Sequence, residues 1–226
     1  MQPKPVGRRA QQAHETRELI IRVAQRLFAK QGYASTSIDE VLKGAGVARG
    51  ALYHHFRDKE DLFGEIFKKL LRESHEKVVE AAASAPTANV WERLRHGREA
   101  FLDSWTDPGV CRVLLLDGPS VLSPKARREI NESLDVALMD NALALASLRE
   151  LQSAGEIRLS SFEPLATILG GAFDAAAVAI ATSEEPKVAR AQVSEALNVL
   201  VDGLQARLKP GEGGDKASRP RRRLHE

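Results

Sequence analysis

Two short apolar-periodic segments joined by Ala45-Gly46-Val47 constrain this chain more than any other feature of its sequence. The first begins at Ser37, with Glu40 three residues on, the reciprocal pattern of a capping box. It carries Ile38, Val41 and Leu42 on one side and ends near Gly44-Ala45-Gly46. The second is expected from about Arg49 to Phe56, with Leu52 and Phe56 turned inward. Glycine permits the tight turn, and Val41, Val47, Leu52 and Phe56 can pack the two helices together. That leaves the start of the second helix free. A helix fits the major groove of B-DNA, where every base pair presents a distinct edge.

The flanking pattern is helical almost throughout, with apolar residues recurring three and four apart. A first helix is read from about Glu15 to Gln31, with Ile20, Ala24, Leu27 and Phe28 on one face and Gly32 as its stop. Asp58 caps a long helix bearing Leu62, Phe63, Ile66, Phe67 and Leu70 and running to about Ala83. Asn89 starts another with Trp91, Leu94, Phe101 and Trp105, stopped by Asp107-Pro108-Gly109. An apolar piece over Val110 to Leu116 is expected to end at Asp117-Gly118-Pro119. Ser123-Pro124, a cap with proline in the first turn, opens a helix to about Ser153 closed by Gly155. Two more helices are read at about Pro164 to Ala181 and Pro186 to Leu208. Beyond Lys209 the Gly-, Pro- and Arg-rich composition predicts disorder. The expected fold is therefore all-α. A basic arm occupies residues 1–13 and a DNA-binding domain 14–60. A second helical unit occupies 61–208, and a basic tail 209–226.

The net charge of +2 hides an uneven division. Residues 1–60 hold 11 Lys+Arg against 6 Asp+Glu, whereas residues 61–226 hold 22 against 25. A basic head on a slightly acidic body suits nucleic-acid binding, though a solvated basic face would give the same counts. No apolar run approaches the ~18 residues of a membrane span, and the polar, basic start lacks the apolar core of a secretory signal. A cytoplasmic location is expected. Cys111 is the one cysteine, and no Cys/His cluster has zinc-ligand spacing. No catalytic residue, cofactor or metal is expected, because no nucleophile–base pair, phosphate loop or Glu-x-x-His pattern is visible.

The residues of the head say more than their spacing. Leu19-Ile20, the run Leu27-Phe28-Ala29-Lys30-Gln31-Gly32-Tyr33, Thr36-Ser37, Gly46-Val47 and the run from Leu52 to Leu62 closely resemble the DNA-binding domain of the tetracycline-repressor (TetR) family. The resemblance covers about residues 15–65; beyond about residue 85 only length and helical pattern agree. It implies about nine helices, a homodimer, and an effector-binding and dimerisation domain at 61–208 that holds a ligand pocket. It also implies DNA-binding roles for Ser37, Arg49, Gly50, Ala51, Tyr53, His54, His55 and Lys59. Arg49 is the candidate base reader, because a guanidinium can bond guanine O6 and N7. Tyr53, His55, Lys59 and the Ser37 hydroxyl are candidate phosphate contacts, which position the domain without specifying sequence. Ala48 departs from the Ser or Thr cap expected there, and Gly50 weakens the recognition helix.

Several residues carry two readings. Phe56 reads as core, and Tyr53 as a packed ring with its hydroxyl at phosphate. His54 and His55 are adjacent and point about 100° apart on a helix, which disfavours shared metal binding. Cys111 reads as a small hydrophobe or as a redox sensor. Trp91, Phe101, Trp105, Met139 and Phe173 are either ordinary core or lining of an effector pocket. Asp174, in an apolar helix, needs a partner if buried: an arginine, a helix cap or a polar ligand group. Gly170-Gly171, the alanines beyond, and Val193, Leu197, Leu200, Val201 and Leu204 suit either a four-helix dimer interface or internal core. The Arg-rich tail at 219–223 either adds phosphate affinity or only solubilises. The expected function is a sequence-specific DNA-binding regulator on a near-palindromic operator, a repressor released by an unknown small-molecule effector. Its rivals are an enzyme on a helical bundle and a dimerising adaptor whose DNA-binding head has lost function.

Overall fold

A computed structural model of the chain describes residues 7–86, 89–134, 147–155, 157 and 160–208. Regular structure among the described residues is entirely helical, as the periodicity predicts. Helix α1 spans Arg8–Gln31, α2 Ile38–Ala45, α3 Arg49–His55 and α4 Lys59–Ala83. The expected first helix began at Glu15; α1 begins at Arg8 instead, so residues 8–13 extend it rather than form a free arm. Arg, Ala and Gln there are strong helix formers, and the first turn closes on Gly7 with Ala10 N–H donating to the Gly7 carbonyl at 2.8 Å.

The start and stop signals of the head are realised one by one. Ser37 accepts from the Glu40 N–H, and the Glu40 carboxylate accepts from the Ser37 N–H at 2.8 Å. Gly46 closes α2 at φ 64°, a left-handed conformation that costs a side-chain-bearing residue strain. Asp58 caps α4 by accepting from the Asp61 N–H at 2.8 Å. Ile20, Ala24 and Phe28 of α1, Val41 of α2, Leu52 of α3, Phe56, and Leu62, Phe63 and Ile66 of α4 are buried together in one core. Phe28, Tyr33 and Phe63 meet in tilted and edge-on ring pairs with centroids 5.2–5.7 Å apart, a preferred aromatic geometry.

The core does not stop where the head was expected to end. Phe67 and Leu70 of α4 pack with Val113, Leu114 and Leu122, so α4 belongs to head and body at once. Helix α5 spans Val90–Ser104, capped by Asn89, and packs along α4. Asp107, expected within a stop, instead caps a new helix by accepting from the Gly109 N–H at 2.7 Å. Three pieces then follow without a break: α6 Pro108–Cys111, a π-helical turn Arg112–Asp117, and α7 Gly118–Val121. Asp117-Gly118-Pro119, expected as an end, is passed because Pro119 falls in the first turn of α7, where no backbone donor is needed. This division brings the helical segments above the nine expected.

The helix expected from Ser123 to Ser153 is α8, Pro124–Ser133, followed by Leu134; residues 147–153 are helical again as α9. Helices α10, Glu163–Ala181, and α11, Pro186–Leu208, pack against α5 and each other. Val193, Leu197, Val201 and Leu204, one option for which was a dimer interface, face inward, into clusters with α5 and α9 or into the cavity described below. The Arg-rich tail lies outside the described residues. By length and composition α10 could cross a membrane, although Asp174 interrupts its apolar run; only 28% of it is buried within the chain.

Candidate nucleic-acid interface

The turn geometry exposes one side of α3. Leu52 is fully buried in the core of the head, where α3 packs on α1, and this fixes the rotation of the helix. Arg49, Gly50, Tyr53 and His54 consequently point to solvent, and Ala51 and His55 are half-buried. Tyr53 is 46% exposed, so its hydroxyl is free to reach a ligand while part of the ring packs. The Ala48 backbone is extended, as a cap requires, but no side chain caps α3.

Arg49 is not idle in the absence of DNA. Its guanidinium donates to the Asp39 carboxylate across the α2–α3 turn, with both side chains largely exposed. Ser37 is similarly engaged: its hydroxyl donates to Glu40 at 2.9 Å as part of the capping box. Its single proton would have to leave Glu40 to meet a phosphate. Burial, and then the nearby His54 and Arg17 charges, hold the His55 imidazole below its ordinary value of 6.5. At neutral pH it can donate one N–H but adds no charge. The His54 and His55 rings stand edge-on at 5.0 Å.

Lys59 occupies the first turn of α4, at the edge of the same surface. Its ammonium sits 4.0 Å from the centre of the Tyr33 ring, a cation–π placement. Burial lowers the Lys59 pKa, while Glu40 and Asp117 oppose that shift. Arg17 of α1 lies 5.3 Å from the Phe56 ring and pairs with Glu65. The resulting face offers a forked donor at Arg49, hydroxyl and imidazole groups along α3, and a fixed ammonium at Lys59. That combination suits phosphates flanking a groove and base edges within it.

The body holds a small cavity between α5, α9, α10 and α11, about 60 Å³ in volume. Its lining is apolar, with Trp91, Leu165, Phe173 and Leu204 prominent, and Arg95 and Arg98 at one wall. Of the expected pocket residues, Trp91 and Phe173 line it. Phe101 and Trp105 do not line it; Phe101 stands edge-on to Phe173 at 5.4 Å and to Trp105 at 5.7 Å, in a neighbouring cluster. Asp174 is exposed on α10, so the expectation for a buried carboxylate does not apply within one chain. Met139 lies outside the described residues. Cys111 is buried, donates to the Trp105 carbonyl at 3.0 Å, and has its pKa pushed up to about 11 by burial. A thiol so protonated is a poor redox sensor.

Sequence reasoning missed Asp39, Asp117 and Arg98. Arg98 has only 4% of its side chain exposed and donates to Asn198 at 2.6 Å and Glu99 at 3.0 Å. Glu99 also meets Ser194 at 2.9 Å and Arg190 at 2.7 Å, tying α5 to α11. These partners are about a hundred residues apart, and no local spacing announces them.

The tetR family of bacterial regulatory proteins matches residues 20–66, and the tetracyclin repressor-like C-terminal domain matches residues 91–204. The HTH-type transcriptional regulator AcrR of Shigella flexneri is 59% identical over 58 residues, covering 26% of this chain and 27% of that protein. The HTH-type transcriptional repressor AcnR of Corynebacterium glutamicum is 29% identical over 136 residues, covering 55% of this chain and 69% of that protein. The crystal structure of a TetR-family transcriptional regulator from Pectobacterium atrosepticum has a TM-score of 0.69 at 28% identity, covering 86% of this chain and 96% of that one. Against AcrR the match thus spans about a quarter of the relative's length. The C-terminal match alone takes in half of the 226 residues, and with the head matched as well, the chain belongs to the tetR family of bacterial regulatory proteins.

Proposed function

We propose that this protein is a cytoplasmic, homodimeric transcription repressor that binds a near-palindromic operator and releases it when a small molecule enters the body. The observation that carries this reading is the exposed face of α3, with Arg49 and Tyr53 flanked by Lys59. Arg49 reads a base edge, and Tyr53, His55 and Lys59 hold phosphates on either side. Two such heads about 34 Å apart would meet successive turns of one face of the duplex.

Dimerisation is supported by the outer faces of α10 and α11. Ile168 is 66% exposed and Val199 72% exposed in the single chain, and Val178, Val188 and Leu200 join them. Gly171, Ala175 and Ala179 share the exposed side of α10 with Ile168 and Val178, and small residues there let a second helix approach closely. The mostly apolar α10 needs such a cover, being largely unburied within one chain.

The cavity is the effector site in this reading, and its lining favours an apolar small molecule. It adjoins α5, which packs along α4, and α4 carries Lys59 at its start. A ligand that spreads α5 from α10 and α11 therefore moves the heads apart or together. Both sites bias one geometry, which is the requirement for coupling.

Gel-shift and footprinting assays on DNA around its own gene test the function. A protected near-palindrome is expected, lost on replacing Arg49 by alanine. A folded dimer that protects no specific sequence even at low salt would refute the proposal.

A further inference from the structure

Residues 108–121 help seat the body on the head, and a polar contact from that segment reaches Tyr33, on whose ring Lys59 rests. Asp117, the last residue of the π-helical turn, accepts from the Tyr33 backbone N–H at 2.8 Å across 84 positions of sequence. The approach is close. Gly32, at φ 84°, has the Asp117 and Arg112 side chains within 3.5 Å of where a Cβ would stand. A Cβ at Gly118 would lie 2.6 Å from the Phe67 ring of α4, so the segment is seated as closely on that side. The Tyr33 ring, set by this backbone contact and by its edge-on packing with Phe63, is the surface on which the Lys59 ammonium rests.

We propose that Asp117 is a positioning residue for DNA binding, holding Tyr33 from the body and, through the Tyr33 ring, Lys59 at the phosphate-facing edge of the head. The inference rests on the reading of Lys59 as a phosphate contact. Asp117 itself touches no DNA. It sits behind Tyr33, and its negative charge would repel phosphate if it faced the duplex. Its acceptor oxygen fixes where the Tyr33 ring lies, and a fixed ring leaves the long Lys59 side chain fewer places to go. The π-helical turn sets the register of this contact. Removing its extra residue would rotate every following side chain by about 100° and carry Asp117 off Tyr33. Any rearrangement of residues 112–117 is thereby felt at a phosphate contact.

The contact and the charge can be separated. Asp117→Asn removes the charge but keeps an oxygen that can accept from Tyr33, whereas Asp117→Ala removes both. The DNA affinity of the full-length protein is measured as a function of salt for D117N, D117A, K59A and the doubles K59A/D117N and K59A/D117A. K59A is expected to lower the slope of log Kobs against log salt by about 0.9, the value of one phosphate contact. D117A is expected to lower it by a similar amount and to bind about tenfold more weakly than D117N, which keeps the parental slope. With Lys59 already gone, the alanine and asparagine variants at 117 should bind alike. A merely structural role would lower the melting temperature of D117A and leave the slope unchanged. Equal slopes for D117A and D117N, or additive losses in the doubles, overturn the relay while leaving Lys59 as a phosphate contact. A K59A slope equal to the parent's removes that contact and the relay with it.

Discussion

At the scale of single residues, the head separates groups that hold it together from groups that are available to DNA, and Arg49 stands between them. Its pair with Asp39 is exposed on both sides and contributes little to stability, on the order of 1 kcal/mol or less. Its proposed use in base reading would be worth more: a good bidentate contact discriminates by about 1–3 kcal/mol. Arg49→Ala should therefore leave the melting temperature nearly unchanged while lowering the ratio of operator to random-sequence affinity by roughly 5- to 150-fold, as competition gel shifts would show. Asp39→Asn tests the pairing from the other side. Removing a negative charge near the duplex should tighten binding to random DNA at low salt, and freeing Arg49 for base edges should widen the specificity ratio. An unchanged ratio in both variants would remove Arg49 as the reader. The pair was not legible beforehand, because its members sit ten positions apart on two helices and only the folded turn brings them together.

At the scale of elements, what could be read locally was read correctly. A capping box, a left-handed glycine and a 3.6-residue period are written within a few residues of one another, and α2, α3 and α4 begin where those signals stand. The failures lie where the deciding partner is distant or the rule is permissive. Propensity alone extends α1 back to Arg8. A proline in a first turn lets the chain run on through 108–121. Burial, not sequence period, turns Val193, Leu197 and Val201 inward. The uncapped start of α3 gives a direct test. Ala48 already has cap-like backbone angles, φ −72° and ψ 152°. Ala48→Ser should stabilise the protein by about 1 kcal/mol, raising its denaturation midpoint. Ser37→Ala should cost a similar amount by breaking the capping box of α2. A second test concerns the bridge from α5 to α11. Burial raises the Glu99 pKa, but hydrogen bonds from Ser194 and Arg98 and the Arg190 and Arg98 charges prevail, leaving it below its ordinary value of 4.5. A depressed carboxylate stabilises the fold at pH above 4.5, and that stability disappears as pH falls through the lowered folded value. Glu99→Gln should flatten the pH dependence of the melting temperature below about pH 5, and an unchanged acid limb would show that the bridge is not what acid breaks.

At the scale of the whole molecule, the exposed faces of α10 and α11 and the DNA-binding heads are parts of one argument. A single head offers one short recognition helix and few phosphate contacts, and would bind weakly. Two heads held at a fixed separation make the second contact intramolecular, which raises overall affinity by roughly 10²–10⁴. In the proposed dimer, operator binding at useful concentrations would therefore depend on residues far from DNA. Ile168 and Val199 make the sharpest test, because both are exposed within the single chain, so a charged replacement costs the protomer fold little. In a dimer the same replacement would place unpaired carboxylates against an apolar partner face. Ile168→Glu and Val199→Glu should each shift sedimentation from dimer to monomer while preserving the helical spectrum. Operator affinity should then fall by at least about 100-fold. If the proteins remain dimeric and bind normally, the interface lies elsewhere, and the apolar face of α10 must be covered by something other than a second copy. If they become monomeric yet bind as before, avidity is not the source of affinity, and the two-head reading of the operator fails even though each head still binds DNA.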